Sequence, residues 1–337
     1  MTASSNQVAK RFLALANNFG KVADHLDELY LKSKNKSCYS SPDETIESLD
    51  FYYGNSKIMA FLRHNSNQGM LYSFRSLLNN CCSFRLSPIC YIIDPDYRDE
   101  IKPIHLDTPS IVFERIPNLC FYVEYPIEDI QGFVVNKIIA DGSLWLNINL
   151  IPAEDKMQHI LKSMPDYFQS MIPIMSNACY GFKILEETTI GESVDELMNN
   201  IQIKGKTKEA ARLMAAQILS VLLWFCVEEP DISDFDGKIL SVNDIKRGAL
   251  RKNKAGKFIP YTKPVTHVIG KRLGGEIRKF KEQLSESETE PQLLTLSKRT
   301  VRPHIRSGHW HGYWTGTDDN KHYIVKWLNA ILVNTKA

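Results

Sequence analysis

The sequence predicts an α+β fold: an antiparallel sheet flanked by helices, followed by a C-terminal helical part that ends in a β-hairpin. Three observations carry this. Short runs rich in β-branched and aromatic residues crowd residues 89–150, segments with apolar residues every three or four positions lie on both sides, and residues 304–334 hold two strand-like runs joined by a polar turn. At 337 residues the chain is long enough for two domains. The pattern divides it into an N-terminal α+β domain, 1–205, and a basic C-terminal domain, 206–337, with a buried helix and the terminal hairpin.

The first element is an amphipathic helix over 6–32, because Phe12, Leu15, Phe19, Val22, Leu26 and Leu29 align on one face. It is shorter than four heptads and contains Gly20, so packing on the protein's own core fits it better than a coiled coil. A polar connection follows, then a helix over Met70–Asn79. The strand signals are "ICYII" (89–93), "SIVF" (110–113), "LCFYVEY" (119–125), "FVVNKII" (133–139) and "LWLNINL" (144–150). Asp141-Gly142 joins the last two as a hairpin, since Gly accepts the positive φ of a tight turn. Helices return at 158–175 with a break at Pro165, at 192–200 and at 207–226, the last apolar on nearly all sides after Ile218 and so expected to be buried. "VTHVIGKRLGGEIRKFKEQL" (265–284) reads as one more helix, in which Gly274-Gly275 allows close backbone approach. A polar, Pro-interrupted stretch, 285–299, is expected to be mobile. It leads to "VRPHIRSGHWHGYW" (301–314), the turn "TGTDDNK" and the return strand "HYIVKWLNAILVN".

Composition removes several classes of function. The seven cysteines are scattered and odd in number, and no CxxC pair is present, which argues against a disulfide framework and a cysteine-based zinc site. The N-terminal stretch lacks the apolar run of a signal peptide, and no segment approaches the roughly 20 apolar residues that span a bilayer, so a cytoplasmic protein without a membrane partner is expected. The phosphate-loop order, the GxSxG elbow and HExxH are all missing, and no cofactor is expected. The net charge of +2 conceals a separation: from Lys238 onward 20 Lys and Arg stand against 8 Asp and Glu. Such a basic part suits a polyanion, and Arg247, Arg251, Lys252, Lys254 and Lys257 are the candidate RNA contacts.

The richest cluster is the terminal one. On a strand, His309, His311 and Tyr313 share one face, while Trp310, Gly312 and Trp314 share the other. The tryptophan face is expected to pack on the core with Trp327. The opposite face, with Arg302, His304 and Arg306 preceding it, is the candidate functional surface, and three readings compete for it. A metal would need a third ligand that the spacing does not supply, so none is assigned. The imidazoles of His304, His309 and His311 could serve as acid and base on RNA, with Arg302 or Arg306 steadying the phosphorane. Recognition of a peptide or an unpaired base would use the same planar, hydrogen-bonding groups.

"RPHIRSGHWHGYWTG", Lys326-Trp327 and Val333-Asn334, with "LLWFCVEEPDI" (222–232) and "GKFIPYTKPVTHVIGKRLGGEIRKF" (256–280) upstream in the same order, resemble the second named family of type V-A anti-CRISPR proteins. The resemblance implies a role in immune evasion, carried by a bacteriophage or another mobile element and exerted in the bacterial host's cytoplasm. It implies recognition of the nascent N-terminal peptide of the type V-A effector nuclease, followed by translation-dependent loss of its mRNA. The partners expected on that basis are the nascent peptide, the mRNA or ribosome, and host RNA-decay machinery. No catalytic residue is assigned. A ribonuclease using His304, His309 and His311 is the alternative.

Overall fold

The computed structural model describes residues 3–33, 38–64, 68–103, 105–176, 178–200, 206–241, 244, 254, 259, 261, 263–289, 304–306, 308–317, 321–329 and 331–333. In chain order the helices are α1 (Ala3–Asn18), α2 (Gly20–Lys32), α3 (Pro42–Tyr53), α4 (Lys57–His64), α5 (Gln68–Phe84), α6 (Pro95–Arg98), α7 (Glu154–Lys162), α8 (Asp166–Met171), α9 (Ile190–Asn200), α10 (Lys206–Leu222) and α11 (Lys271–Thr289). The strands are β1 (Ile89–Ile93), β2 (Cys120–Ile127), β3 (Ile130–Ala140), β4 (Ser143–Pro152), β5 (Ala178–Ile184), β6 (Ile232–Ser233), β7 (Val265–Ile269), β8 (His304–Arg306), β9 (His309–Thr315), β10 (His322–Leu328) and β11 (Ile331–Val333). They form two compact units. One contains residues 1–92, 116–188 and 241–267, and the other 93–115, 189–240 and 268–337.

In the first unit the strand order is β5-β4-β3-β2-β1, with β7 next. The pairs from β2 to β5 are antiparallel as expected, while β1 joins β2 in parallel. Asp141 and Gly142 take φ of 50° and 71°, the left-handed pair that a two-residue hairpin requires. The amphipathic N-terminal stretch is two helices, because Phe19 leaves the helical region at φ −107°, ψ 38°. Their apolar residues, including Phe12, Leu15, Phe19, Val22 and Leu26, are fully buried together with Phe74, Leu77 and Phe84 of α5. One apolar stripe thus continues across the break.

Two predicted elements are corrected. "SIVF" is a 3-10 turn, Ser110–Arg115, with Val112 and Phe113 buried on one side. Residues 265–269 are strand β7, and the helix begins only at Lys271, after Gly270 at φ +74°. The β-branched run at 265–269 explains the strand. The close approach foreseen at the glycine pair is real at Gly274, where an added Cβ would lie 1.9 Å from an Asp94 carboxylate oxygen.

In the second unit β6 pairs antiparallel with the end of β7. The run from Ile218 to Cys226, the end of α10 and the 3-10 turn that follows, is buried throughout as its composition demands. Asp231 caps α11 by accepting from the Leu273 N–H at 3.0 Å. Arg278 of α11 donates to Asp94 at 3.1 Å and to Asp96 at 2.6 Å. The predicted mobile stretch lies largely outside the described residues.

Candidate functional site: the terminal hairpin and its cleft

β9 and β10 pair antiparallel from His309↔Leu328 to Thr315↔His322, and β8 pairs β11 just beyond them. Two glycines make this hairpin possible. A Cβ on Gly308 would sit 2.5 Å from the Trp327 ring, and one on Gly312 would sit 2.0 Å from the Tyr323 hydroxyl. The spacing of "SGHWHGYW" therefore leaves room for one large ring over each glycine.

The inner face starts at an aromatic cluster. Trp310 and Trp327 pack edge to face at 5.1 Å, and both meet Trp224, at 5.1 and 5.7 Å. Tyr97 closes the group, 5.2 Å from Trp224 and 5.4 Å from Trp327. The indole N–H groups of the two fully seated rings are satisfied: Trp224 donates to the Tyr97 hydroxyl, Trp310 donates to Ser220 at 3.0 Å, and Ser220 donates to the Lys102 carbonyl at 2.7 Å. Buried indole N–H groups require such partners. The expected core role thus holds for Trp310, 6% exposed, and for half-buried Trp327. It fails for Trp314. That ring is 57% exposed and packs against Tyr323 at 5.3 Å, because the tip of the hairpin extends past the aromatic cluster.

On the opposite face His309 is half-buried, His311 exposed and Tyr313 half-buried. The His311 and Tyr313 rings lie 5.9 Å apart, and Lys326 reaches over Tyr313 with its Nζ 5.7 Å from the ring centre. A hydrogen bond to Tyr313 and the field of Glu228 and Glu229 raise the Lys326 pKa, so this ammonium stays charged. Arg306 is exposed on β8, where His304 also lies. Lys254 is exposed. Arg302, Arg247, Arg251, Lys252 and Lys257 lie outside the described residues.

A cleft of about 350 Å³ borders the hairpin. From β9 it takes four consecutive residues, 309–312; from β10 it takes only Tyr323 and Val325; and the loop before the 3-10 turn supplies His105, Asp107 and Thr108. Side chains alternate along a strand, so four consecutive lining residues mean that the cleft runs beside β9 and not only over one face. Burial raises the Tyr323 pKa, assisted by the nearby Asp107 charge and opposed by a hydrogen bond to Thr108. The phenol stays protonated near neutral pH. The loop residues carried no sequence signal beyond "HLDTP" between two predicted elements. Among the described residues no three His, Cys, Asp or Glu side chains come together as a metal site, although two histidines of β9 line one cleft with His105 and Asp107.

A family-model match places this α+β chain among the type V anti-CRISPR proteins. More narrowly, the chain belongs to the Anti-CRISPR type V subtype A2 family (AcrVA2-like), whose model matches residues 91–335 and so includes every element of the hairpin and cleft. A crystal structure of AcrVA2 is similar over 98% of this chain and 100% of that one, with a TM-score of 0.69 at 22% sequence identity. At that identity the likeness establishes the fold. No protein of curated function matches. Among the described residues no helix is long and apolar enough to cross a membrane.

Proposed function

We propose that the protein recognises the nascent N-terminal peptide of the type V-A effector nuclease, in the host cytoplasm, and thereby triggers loss of the translated mRNA. The observation that carries this reading is the cleft beside β9. Its volume falls within the few hundred Å³ typical of ligand sites, and it borders a strand that, among the described residues, pairs only with β10. A strand edge offers N–H and C=O groups in the period of an extended chain, which suits a peptide emerging unfolded. RNA or the ribosome would be met by the basic C-terminal stretch, whose charge favours phosphate, and host decay enzymes would complete the loss. Immobilised protein should retain ribosomes translating the effector, and an mRNA recoded with synonymous codons should still be lost. Retention that follows the nucleotide sequence and ignores the peptide would refute the proposal.

One observation favours a second reading, ribonuclease chemistry: exposed His311 lies beside Tyr313 and Lys326, an acid/base group next to a cation. Purified protein incubated with a synthetic transcript distinguishes the two, since cleavage without ribosomes belongs to the second alone.

A further inference from the structure

The cleft holds a mixture of groups that narrows its occupant. Asp107 is its sole acidic residue, exposed, and makes no ion pair or hydrogen bond among the described residues. It lines the same cleft as Tyr323 and Val325 of the hairpin's inner face. Around it stand three imidazoles, from His105, His309 and His311, and the Thr108 and Tyr323 hydroxyls. The floor is apolar where Val325 and the Tyr323 ring meet Gly312. The ligand must therefore bring a cation to Asp107, an apolar group to the floor, and main-chain groups to β9. An RNA phosphate would instead meet the Asp107 carboxylate.

The first residue of an unblocked peptide brings all three. We infer that the cleft captures the free α-ammonium of its peptide at Asp107, lays the first side chain over Val325, and pairs the next residues with the edge of β9 at residues 309–312. The inference rests on the peptide-recognition reading and specifies its chemistry. A cation at the chain terminus has a definite position relative to the main chain, whereas an internal lysine would fix no register against β9. The site would therefore distinguish a true N-terminus from the same sequence embedded in a longer chain. It would also distinguish a deformylated nascent chain from one that still carries its formyl group, because formylation removes the charge.

The test uses the full-length protein and a synthetic peptide of the effector's first twelve residues, prepared with a free, a formylated and an acetylated α-amine. Binding is read by calorimetry. The free amine should bind about 10- to 100-fold more tightly than either blocked form, the range expected for a charge-assisted hydrogen bond. Asp107→Asn should abolish the preference for the free amine. Its side chain is exposed, so folding should not suffer. A series of single N-methylations should weaken binding at alternate positions, the period of strand pairing. Equal affinity for free and blocked peptides, or an undiminished preference in Asp107→Asn, would overturn the inference and leave the peptide-recognition reading intact. Preference that follows an internal lysine, lost on its replacement by norleucine, would overturn it too. No binding of any form would remove both.

Discussion

The two compact units solve the burial of their central helices in opposite ways. In the first, α5 turns Ser76, Asn79, Asn80 and Ser83 toward the sheet, all of them fully buried, and meets Asn136, Asn147 and Asn149. Each amide uses both its ends. Asn80 donates to Asn149 at 2.7 Å and accepts from Asn147 at 3.2 Å; Asn136 donates to Asn79 at 2.7 Å and accepts from Ser83 at 3.1 Å. The Ser76 hydroxyl lies 2.8 Å from the side-chain oxygens of both Asn147 and Asn149 and shares its one proton between them, and Asn149 donates to Ser176 at 3.1 Å. In the second unit the end of α10 and the following turn instead meet Trp310 and Trp327 through aromatic rings, with Ser220 as a polar pin. Apolar burial supplies most of the driving force and tolerates many shapes, whereas a paired amide network accepts one register and penalises every other. The first unit is built for register and the second for contact area. The second also carries the site.

The largest expected effect is in the aromatic cluster. Trp310→Ala should cost about 3–5 kcal/mol in denaturant titration, because it removes a large buried ring and leaves the Ser220 hydroxyl with one partner fewer. Trp314→Ala, at the exposed end of the same strand, should stay within about 0.5 kcal/mol. Equal losses at the two positions would dismiss the distinction between the seated and the free end of the hairpin.

The amide network comes next. Asn80→Ala should cost about 1–3 kcal/mol for each buried group left unpaired, here the Asn147 amide nitrogen and part of the capacity of Asn149. A double-mutant cycle of Asn80 with Asn149 should show strong coupling. Additive losses would mean that the residues merely fill space.

A smaller effect separates a paired buried group from a half-paired one. Asp231 in the second unit caps Leu273 with one oxygen, while its other oxygen is buried and has no hydrogen-bond partner among the described residues. Burial raises its pKa above the usual carboxylate value. The folded state then holds this proton to higher pH than the unfolded chain, so the contribution to stability is greatest in acid and declines as pH rises through the window just above 3.8. Asp231→Asn should flatten that part of the stability profile, measured by urea titration at a series of pH values. An unchanged profile would assign the slope to other groups.

The smallest effect on stability is expected at His311, which is exposed. His311→Ala should change the unfolding free energy by about 0.5 kcal/mol or less and still reduce loss of the effector mRNA in cells. Full silencing by the folded variant would leave the outer face of the hairpin as a stabilised surface only.

Most strands and helices were legible from short-range pattern alone. The Asp141-Gly142 hairpin, the helix break at Pro165 and the buried end of α10 follow from turn chemistry and apolar periodicity, which act within a few residues. Where pattern failed, the cause was a neighbour distant in sequence. In "LWLNINL" Asn147 and Asn149 carry no local sign of burial, and it is α5, some seventy residues earlier, that covers them. "SIVF" has strand composition, yet it turns to bury Val112 and Phe113. Trp314 looks identical to Trp310 on the alternating strand, and only the length of the hairpin beyond the aromatic cluster leaves it in solvent.

The sequence by itself determined the class of fold, the pairing of the terminal hairpin and the separation of His309, His311 and Tyr313 from Trp310, because strand geometry alternates side chains whatever the surroundings. The tertiary structure alone decided that His105, Asp107 and Thr108, some two hundred residues earlier, would line a cleft with that hairpin. A cleft is a property of surfaces brought together by packing, and no local pattern encodes which loop will close it.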